Sequence, residues 1–149
     1  EYDSKFPKTY DELIKLPGIG DYSASAISSF SNNEIRPVLD GNVYRLISRL
    51  FEISTTINTN NAVKEFKKIL FKLISKKYPG DFNQAIMDFG STVCRPKNPS
   101  CYDCIFNKDC LSHQNKTVFN YPVKKKNVTV KFRTLNYLVV MDSDKKIII

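Results

Sequence analysis

The chain has 149 residues and carries 23 Lys and Arg against 15 Asp and Glu, a formal charge of +8. A hydrophobic content of 42% is ordinary for a globular protein, so disorder is not the expectation. No stretch approaches the roughly 20 apolar residues that a membrane-spanning helix needs, and the basic excess favours a polyanionic partner, nucleic acid foremost. No signal peptide is visible. The opening at Glu1 without Met and the close on Ile147-Ile148-Ile149 read as a segment of a longer protein.

Residues 8–16 read as a short helix, with Thr9 as cap and Glu12 three residues on, a capping-box spacing. Pro17-Gly18-Ile19-Gly20 breaks it. A second helix, from Asp21 to Phe30, is built from small residues (Ser23, Ala24, Ser25, Ala26) that admit another backbone or DNA closely. Asp40 precedes an amphipathic helix with Val43, Leu46, Ile47, Leu50 and Phe51 on one face and Arg45, Ser48 and Arg49 on the other.

Residues 61–78 repeat the pattern. Val63, Phe66, Ile69, Leu70, Leu73 and Ile74 make an apolar stripe, and Lys64, Lys67, Lys68, Lys72 and Lys76 form the opposite face, most simply a solvated one. Pro79-Gly80 stops that helix. Another runs from Asp81 to Val93, with Phe82, Ala85, Ile86, Phe89 and Val93 inward. After Cys110 the period changes. A polar linker carries Lys124-Lys125-Lys126, either a flexible connection or a strap along DNA. Val128–Phe132 and Leu135–Met141 then read as strands, and the turn-like Asp142-Ser143-Asp144 leads to a possible third at Ile147–Ile149. The architecture is a helical domain to about residue 115, a linker, and the start of a β-containing domain, with apolar faces of the helical part expected to be exposed.

Three features carry chemistry. Leu16-Pro17-Gly18-Ile19-Gly20 places two glycines between helices. Backbone N–H groups of such a turn and of the helix end after it form a natural phosphate site, although a bare Pro-Gly-x-Gly is also an ordinary helix–helix turn. Asp40 stands where a helix N-cap belongs, a role worth about 1 kcal/mol by itself, and a carboxylate held there also stays ionised and oriented. Finally, all four cysteines fall within Cys94-x6-Cys101-x2-Cys104-x5-Cys110. Such clustering points to metal ligation in a reducing compartment rather than to disulfides. The spacing alone suits tetrahedral zinc or a [4Fe–4S] cluster.

Taken together, Leu16–Ala24, the stretch Val38-Leu39-Asp40-Gly41-Asn42-Val43 and the cysteine spacing resemble the iron–sulfur DNA glycosylases of the helix-hairpin-helix superfamily. Asp40-Gly41-Asn42-Val43, Phe82–Gly90 and the β-type segment after the cysteines are most similar to the adenine DNA glycosylase (MutY) branch. The resemblance implies a mainly α fold. Its parts would be an incomplete helix-hairpin-helix glycosylase domain (1–93), an iron–sulfur loop (94–112), a linker (113–127) and the start of a truncated Nudix-like domain (128–149).

The same resemblance implies that Asp40 is the catalytic carboxylate and that Cys94, Cys101, Cys104 and Cys110 hold a structural [4Fe–4S] cluster. Leu16, Gly18, Ile19, Gly20, Tyr22, Ser23, Arg95 and Lys97 would meet double-stranded DNA containing a mismatched or damaged base pair. The general-acid Glu of adenine DNA glycosylases has no match here, so the chain alone is expected to lack a complete active site. Tyr22 stands where endonuclease III-type relatives carry the Schiff-base lysine, and a phenol cannot form one. Tyr44 likewise replaces a lysine of some relatives. The expectation is a monofunctional, monomeric enzyme of the bacterial cytoplasm and nucleoid. A thymine-mismatch or endonuclease III-like glycosylase and a non-catalytic, zinc-stabilised DNA-binding module are the alternatives. His113 reads as a surface residue.

Overall fold

A computed structural model of the chain describes residues 6–125, 132–141 and 143–144. Among these described residues six α-helices run in order: α1 Tyr10–Leu13, α2 Asp21–Asn32, α3 Gly41–Phe51, α4 Asn60–Leu73, α5 Pro79–Thr92 and α6 Leu111–Gln114, followed by a 3-10 turn at Val118–Asn120. The expected cap of α1 forms: the Glu12 carboxylate accepts from the Lys8 and Thr9 N–H groups and from the Thr9 hydroxyl. α1 is shorter than its periodicity suggests, because the chain bends after Leu13 into the glycine turn, where Gly18 takes a φ of 81°.

Both ends of the α4–α5 connection differ from the sequence reading. α4 ends at Leu73, because Ile74 leaves the helical region (ψ 135°) and turns its side chain into the core at 6% exposure. Pro79 and Gly80 do not end a helix but open α5, with Pro79 where its missing N–H is of no consequence.

The core joins one face each of α3 and α4: Val43, Tyr44 and Ile47 meet Ala62, Phe66 and Leu70, with Ile53 and Ile57 from the connecting loop. Tyr44 stands edge-on to Phe66 with ring centroids 4.8 Å apart. α3 also lies against α5 and α6, and α2 against α1 and α5. Glycines set two of these approaches. A Cβ on Gly90 would come within 2.8 Å of Asn42 Cβ, and one on Gly80 within 3.0 Å of the Ser29 carbonyl oxygen. The small residues of α2 (Ala24, Ser25, Ser28, Ser29) are buried accordingly. Phe71, Leu73, Tyr78, Ile105 and Leu111 remain exposed, as expected for the helical part.

The expected strand at Leu135–Met141 is not formed. No strand occurs among the described residues. The segment has no regular secondary structure beyond one isolated bridge, at Met141, and Leu135, Tyr137 and Leu138 stand in solvent. Alternating apolar residues stabilise a strand only when a neighbouring strand and a covering layer are there to meet them. Of the other β-like runs, residues 128–131 and 147–149 lie outside the described residues. The first part of the expected linker is packed: Val118 is buried, and the Val123 carbonyl accepts from the Ile57 N–H at 2.9 Å.

Candidate active site and cysteine centre

Asp40 is the N-cap of α3. Its Oδ1 accepts from the Val43 N–H at 2.7 Å and its Oδ2 from Asn42 Nδ2 at 2.9 Å. The carboxylate is half-buried and fixed in orientation by both bonds. The loop leading to it is anchored by Asn83, a fully buried residue of α5. Asn83 accepts from the Val38 N–H and donates to the Arg36 carbonyl and to the Ser29 hydroxyl, so one amide locks loop, α2 and α5 together.

Arg45 and Arg49, read from periodicity as a polar face, are 9% and 3% exposed. Arg45 Nη2 donates to Asn42 Oδ1 at 2.9 Å and to the Gly90 carbonyl at 2.6 Å, while its Nε donates to the Cys94 carbonyl at 2.7 Å. A continuous run of hydrogen bonds thus links Asp40, through Asn42 and Arg45, to the first cysteine. Burial draws the Arg45 guanidinium below its usual pKa, yet such a group stays charged at neutral pH. Arg49 donates to the carbonyls of Arg95, Val118 and Tyr121 at 2.8, 3.0 and 3.2 Å, and its Nη1 lies 3.5 Å from Cys94 Sγ. These two arginines tie the Asp40 turn and the cysteine loop to α3, a buried role that sequence reasoning missed. One signal was available: α3 carries Arg where α4 carries only Lys, and Arg is the cation suited to buried, multiply bonded positions.

Cys94, Cys101, Cys104 and Cys110 line a single cavity between α3, α5 and α6, together with Arg49, Phe89 and Phe106. All four are half-buried and none is in a disulfide. Donors face the sulfurs: Arg49 at Cys94, and the Phe106 N–H at Cys104 Sγ, 3.4 Å away. Among the described residues no carboxylate lines the cavity. Burial, and then the neighbouring cysteines, push the Cys101 thiol up, and burial does the same at Cys104. Ligation there would release protons. His113 is half-buried, lines the same cavity and stands edge-on to Tyr102.

The hairpin presents Gly18 and Gly20 to solvent, with Leu16, Ile19 and Ser23 half-buried behind them. Tyr22 is 47% exposed, and its hydroxyl donates to Met87 Sδ at 3.9 Å. Arg95 turns back onto its own loop, donating to the Asn98 carbonyl at 3.0 Å, whereas Lys97 is exposed. The hairpin and the Asp40 loop are joined through α2 and Asn83, and the Asp40 loop and the cysteines through Arg45.

The helix-hairpin-helix motif model matches residues 1–30. Adenine DNA glycosylases from Arabidopsis thaliana and from Buchnera aphidicola of Schizaphis graminum are 41% and 37% identical over 80% and 94% of this chain. The Homo sapiens adenine DNA glycosylase is 35% identical over 76%. The chain spans 20%, 40% and 21% of those proteins, respectively. Among solved structures, a thermostable thymine-DNA glycosylase superposes with a TM-score of 0.70 at 28% identity, over 77% of this chain and 52% of that one. Endonuclease III in a non-covalent DNA complex superposes with a TM-score of 0.65 at 27% identity, over 78% and 52%. No helix among the described residues is long and apolar enough to cross a membrane. By sequence and by fold, the chain belongs to the helix-hairpin-helix DNA glycosylases, with the adenine DNA glycosylases as its curated relatives.

Proposed function

We propose that the chain supplies the catalytic carboxylate and cysteine centre of a monofunctional adenine DNA glycosylase, which hydrolyses the N-glycosidic bond of adenine opposite 8-oxoguanine or guanine. The observation that carries this reading is Asp40. It is an oriented, doubly hydrogen-bonded carboxylate, in a chain whose curated relatives are adenine DNA glycosylases. Departure of the base leaves an oxocarbenium-like sugar. An ionised carboxylate beside the anomeric carbon stabilises that charge, and water completes the hydrolysis. The departing adenine needs a proton. No residue of this chain matches the acid that adenine DNA glycosylases use, so the chain alone is inactive in this proposal.

Duplex DNA would seat its phosphates on the hairpin at Leu16, Gly18, Ile19, Gly20, Tyr22 and Ser23, with Arg95 and Lys97 meeting it from the cysteine loop. Arg95 would have to leave its internal bond to the Asn98 carbonyl to do so. The target base would be flipped out of the stack. Tyr22 in place of lysine supports hydrolysis without strand cleavage. The enzyme would act as a monomer on chromosomal DNA, which in a bacterium places it in the cytoplasmic nucleoid.

A [4Fe–4S] cluster fits the cysteine cavity. Four thiols surround one cavity with a guanidinium beside them and, among the described residues, no competing carboxylate, and their spacing resembles the iron–sulfur loop of the glycosylases, which supports a cluster over zinc. Cys94, Cys101, Cys104 and Cys110 would hold it, and when bound it supplies a rigid cross-link of the loop.

The test is single-turnover base release by the full-length protein, on duplexes with adenine opposite 8-oxoguanine and thymine opposite guanine, with iron and sulfide assayed alongside. Adenine release without strand breakage until alkali is added supports the proposal. Thymine release, or nicking without alkali, assigns the protein to another branch. Zinc in place of iron, with duplex binding but no base release, leaves a binding module.

A further inference from the structure

The hairpin carries a charge in an unexpected place. Asp21 is the first residue of α2, at the helix end whose N–H groups and dipole attract anions. A carboxylate there repels the phosphate that the hairpin would seat. The structure shows where that charge goes. Asp21 Oδ1 accepts from Lys67 Nζ of α4 at 2.5 Å and from the Tyr10 hydroxyl of α1 at 2.8 Å. Three elements meet at one oxygen. Arg36, stacked on the Tyr10 ring 4.3 Å away, is itself paired with Glu34 at 2.9 Å and with Asp11 at 3.6 Å, so the cation that directly meets Asp21 is Lys67. Lys67 is also set apart from the other lysines of its helix. Its side chain is 23% exposed, whereas Lys64, Lys68 and Lys72 stand in solvent.

We propose that Lys67 is a positioning residue for DNA, neutralising Asp21 and holding its carboxylate away from the phosphate seat of the hairpin. The proposal rests on the reading of the hairpin as the DNA-binding element. Lys67 acts through Asp21, not by touching DNA itself, and this makes the pair separable by experiment. If Lys67 only compensates Asp21, removing both charges leaves the phosphate seat as it was. If Lys67 meets a phosphate directly, removing Asp21 cannot replace it.

The experiment measures the affinity of the full-length protein for a fluorescein-labelled duplex containing adenine opposite 8-oxoguanine, by anisotropy at ~0.1 M salt, where surface charges still act. Lys67→Met, Lys67→Arg, Asp21→Asn and the Asp21→Asn/Lys67→Met double variant are compared, with circular dichroism as the check of folding. Lys67→Met is expected to weaken binding about fivefold, because an uncompensated like charge then faces the phosphates. Asp21→Asn and Lys67→Arg should bind as the parent does, and the double variant should return to within about twofold of it. The loss should also shrink as salt is raised.

A double variant as weak as Lys67→Met overturns the proposal, as does Lys67→Met binding like the parent. If Lys67→Met does not fold, Asp21→Asn decides: weakened binding by this variant means that the carboxylate supports the seat and the proposal fails. A parent protein with no duplex affinity removes the hairpin reading and the proposal with it, and that outcome is distinguished because no variant then differs from another.

Discussion

Arg45 reaches from α3 to the first cysteine of the loop, its Nε donating to the Cys94 carbonyl at 2.7 Å. Its other end accounts for the carbonyl of Gly90 and the side chain of Asn42. A buried guanidinium bonded in this way leaves several carbonyls without partners when truncated. Arg45→Met is therefore expected to destabilise the protein by about 3 kcal/mol. Arg45→Lys should recover only part of that, because an ammonium cannot span the same fork. Base release should slow further than stability explains, since Asn42 loses the partner that orients it toward Asp40. Thermal denaturation beside single-turnover rates measures both. A variant that loses stability while keeping its full rate would show that the link to Asp40 has no catalytic consequence.

Asp40 combines a structural and a proposed chemical role, and the two separate on substitution. Asparagine is as good an N-cap as aspartate, so Asp40→Asn should cost less than about 1 kcal/mol. It carries no charge to stabilise an oxocarbenium-like sugar, so base release should fall by at least about a hundredfold, in keeping with the loss of one electrostatic stabiliser. A large fall in melting temperature with base release retained would reduce Asp40 to a cap.

Gly90 is where α5 touches the start of α3. A methyl group there would meet Asn42 Cβ at 2.8 Å and its carbonyl oxygen at 3.0 Å, and both belong to the turn that carries Asp40. Overpacking of this kind costs about 1–3 kcal/mol. Gly90→Ala is expected to lower both melting temperature and base release. Gly80→Ala, which strains α5 against α2 away from Asp40, should lower the melting temperature with a smaller effect on rate. Equal effects of the two on rate would contradict this.

Where a single helix face meets the core, the sequence was legible. Val43, Leu46 and Ile47 of α3 and Phe66 and Leu70 of α4 are buried where their periodicity places them, although Phe51 is exposed and the expected polar face of α3 is buried too, and Asp40 caps α3 as its position requires. What local pattern could not supply were long-range partners. The carbonyls that bury Arg49 come from residues 46 to 72 positions away, so a cation on the far side of an apolar stripe reads as solvated. Lys67 was hidden in the same way, its carboxylate lying 46 residues earlier. The opposite error occurs at Leu135–Met141, where alternation alone suggested a strand and the partner needed for one is not found among the described residues. The four cysteines were legible as a group because their spacing is local, whereas the buried guanidinium beside them was not.

The last prediction concerns acid. Glu34 holds the start of α1 to the segment after α2, its Oε2 accepting from the Tyr10 N–H at 2.7 Å and its Oε1 from Arg36 Nε at 2.9 Å. Burial raises its pKa, but the bonds from Tyr10 and Arg36 outweigh burial and hold the carboxyl below its usual value. A carboxylate with a depressed folded pKa contributes stability that is present above its unfolded value, about 4.3, and is lost as pH falls through the folded one. Glu34→Gln removes the charge but keeps an acceptor for Tyr10. It should lower stability at pH 7 by about 1 kcal/mol or less, since the pair is partly solvated. The gap in melting temperature between parent and variant should then close as pH falls through the lowered folded pKa, where the parent carboxyl protonates as well. A gap that stays constant from neutral to acid pH would mean that the loss comes from packing, with no contribution from the charge on Glu34.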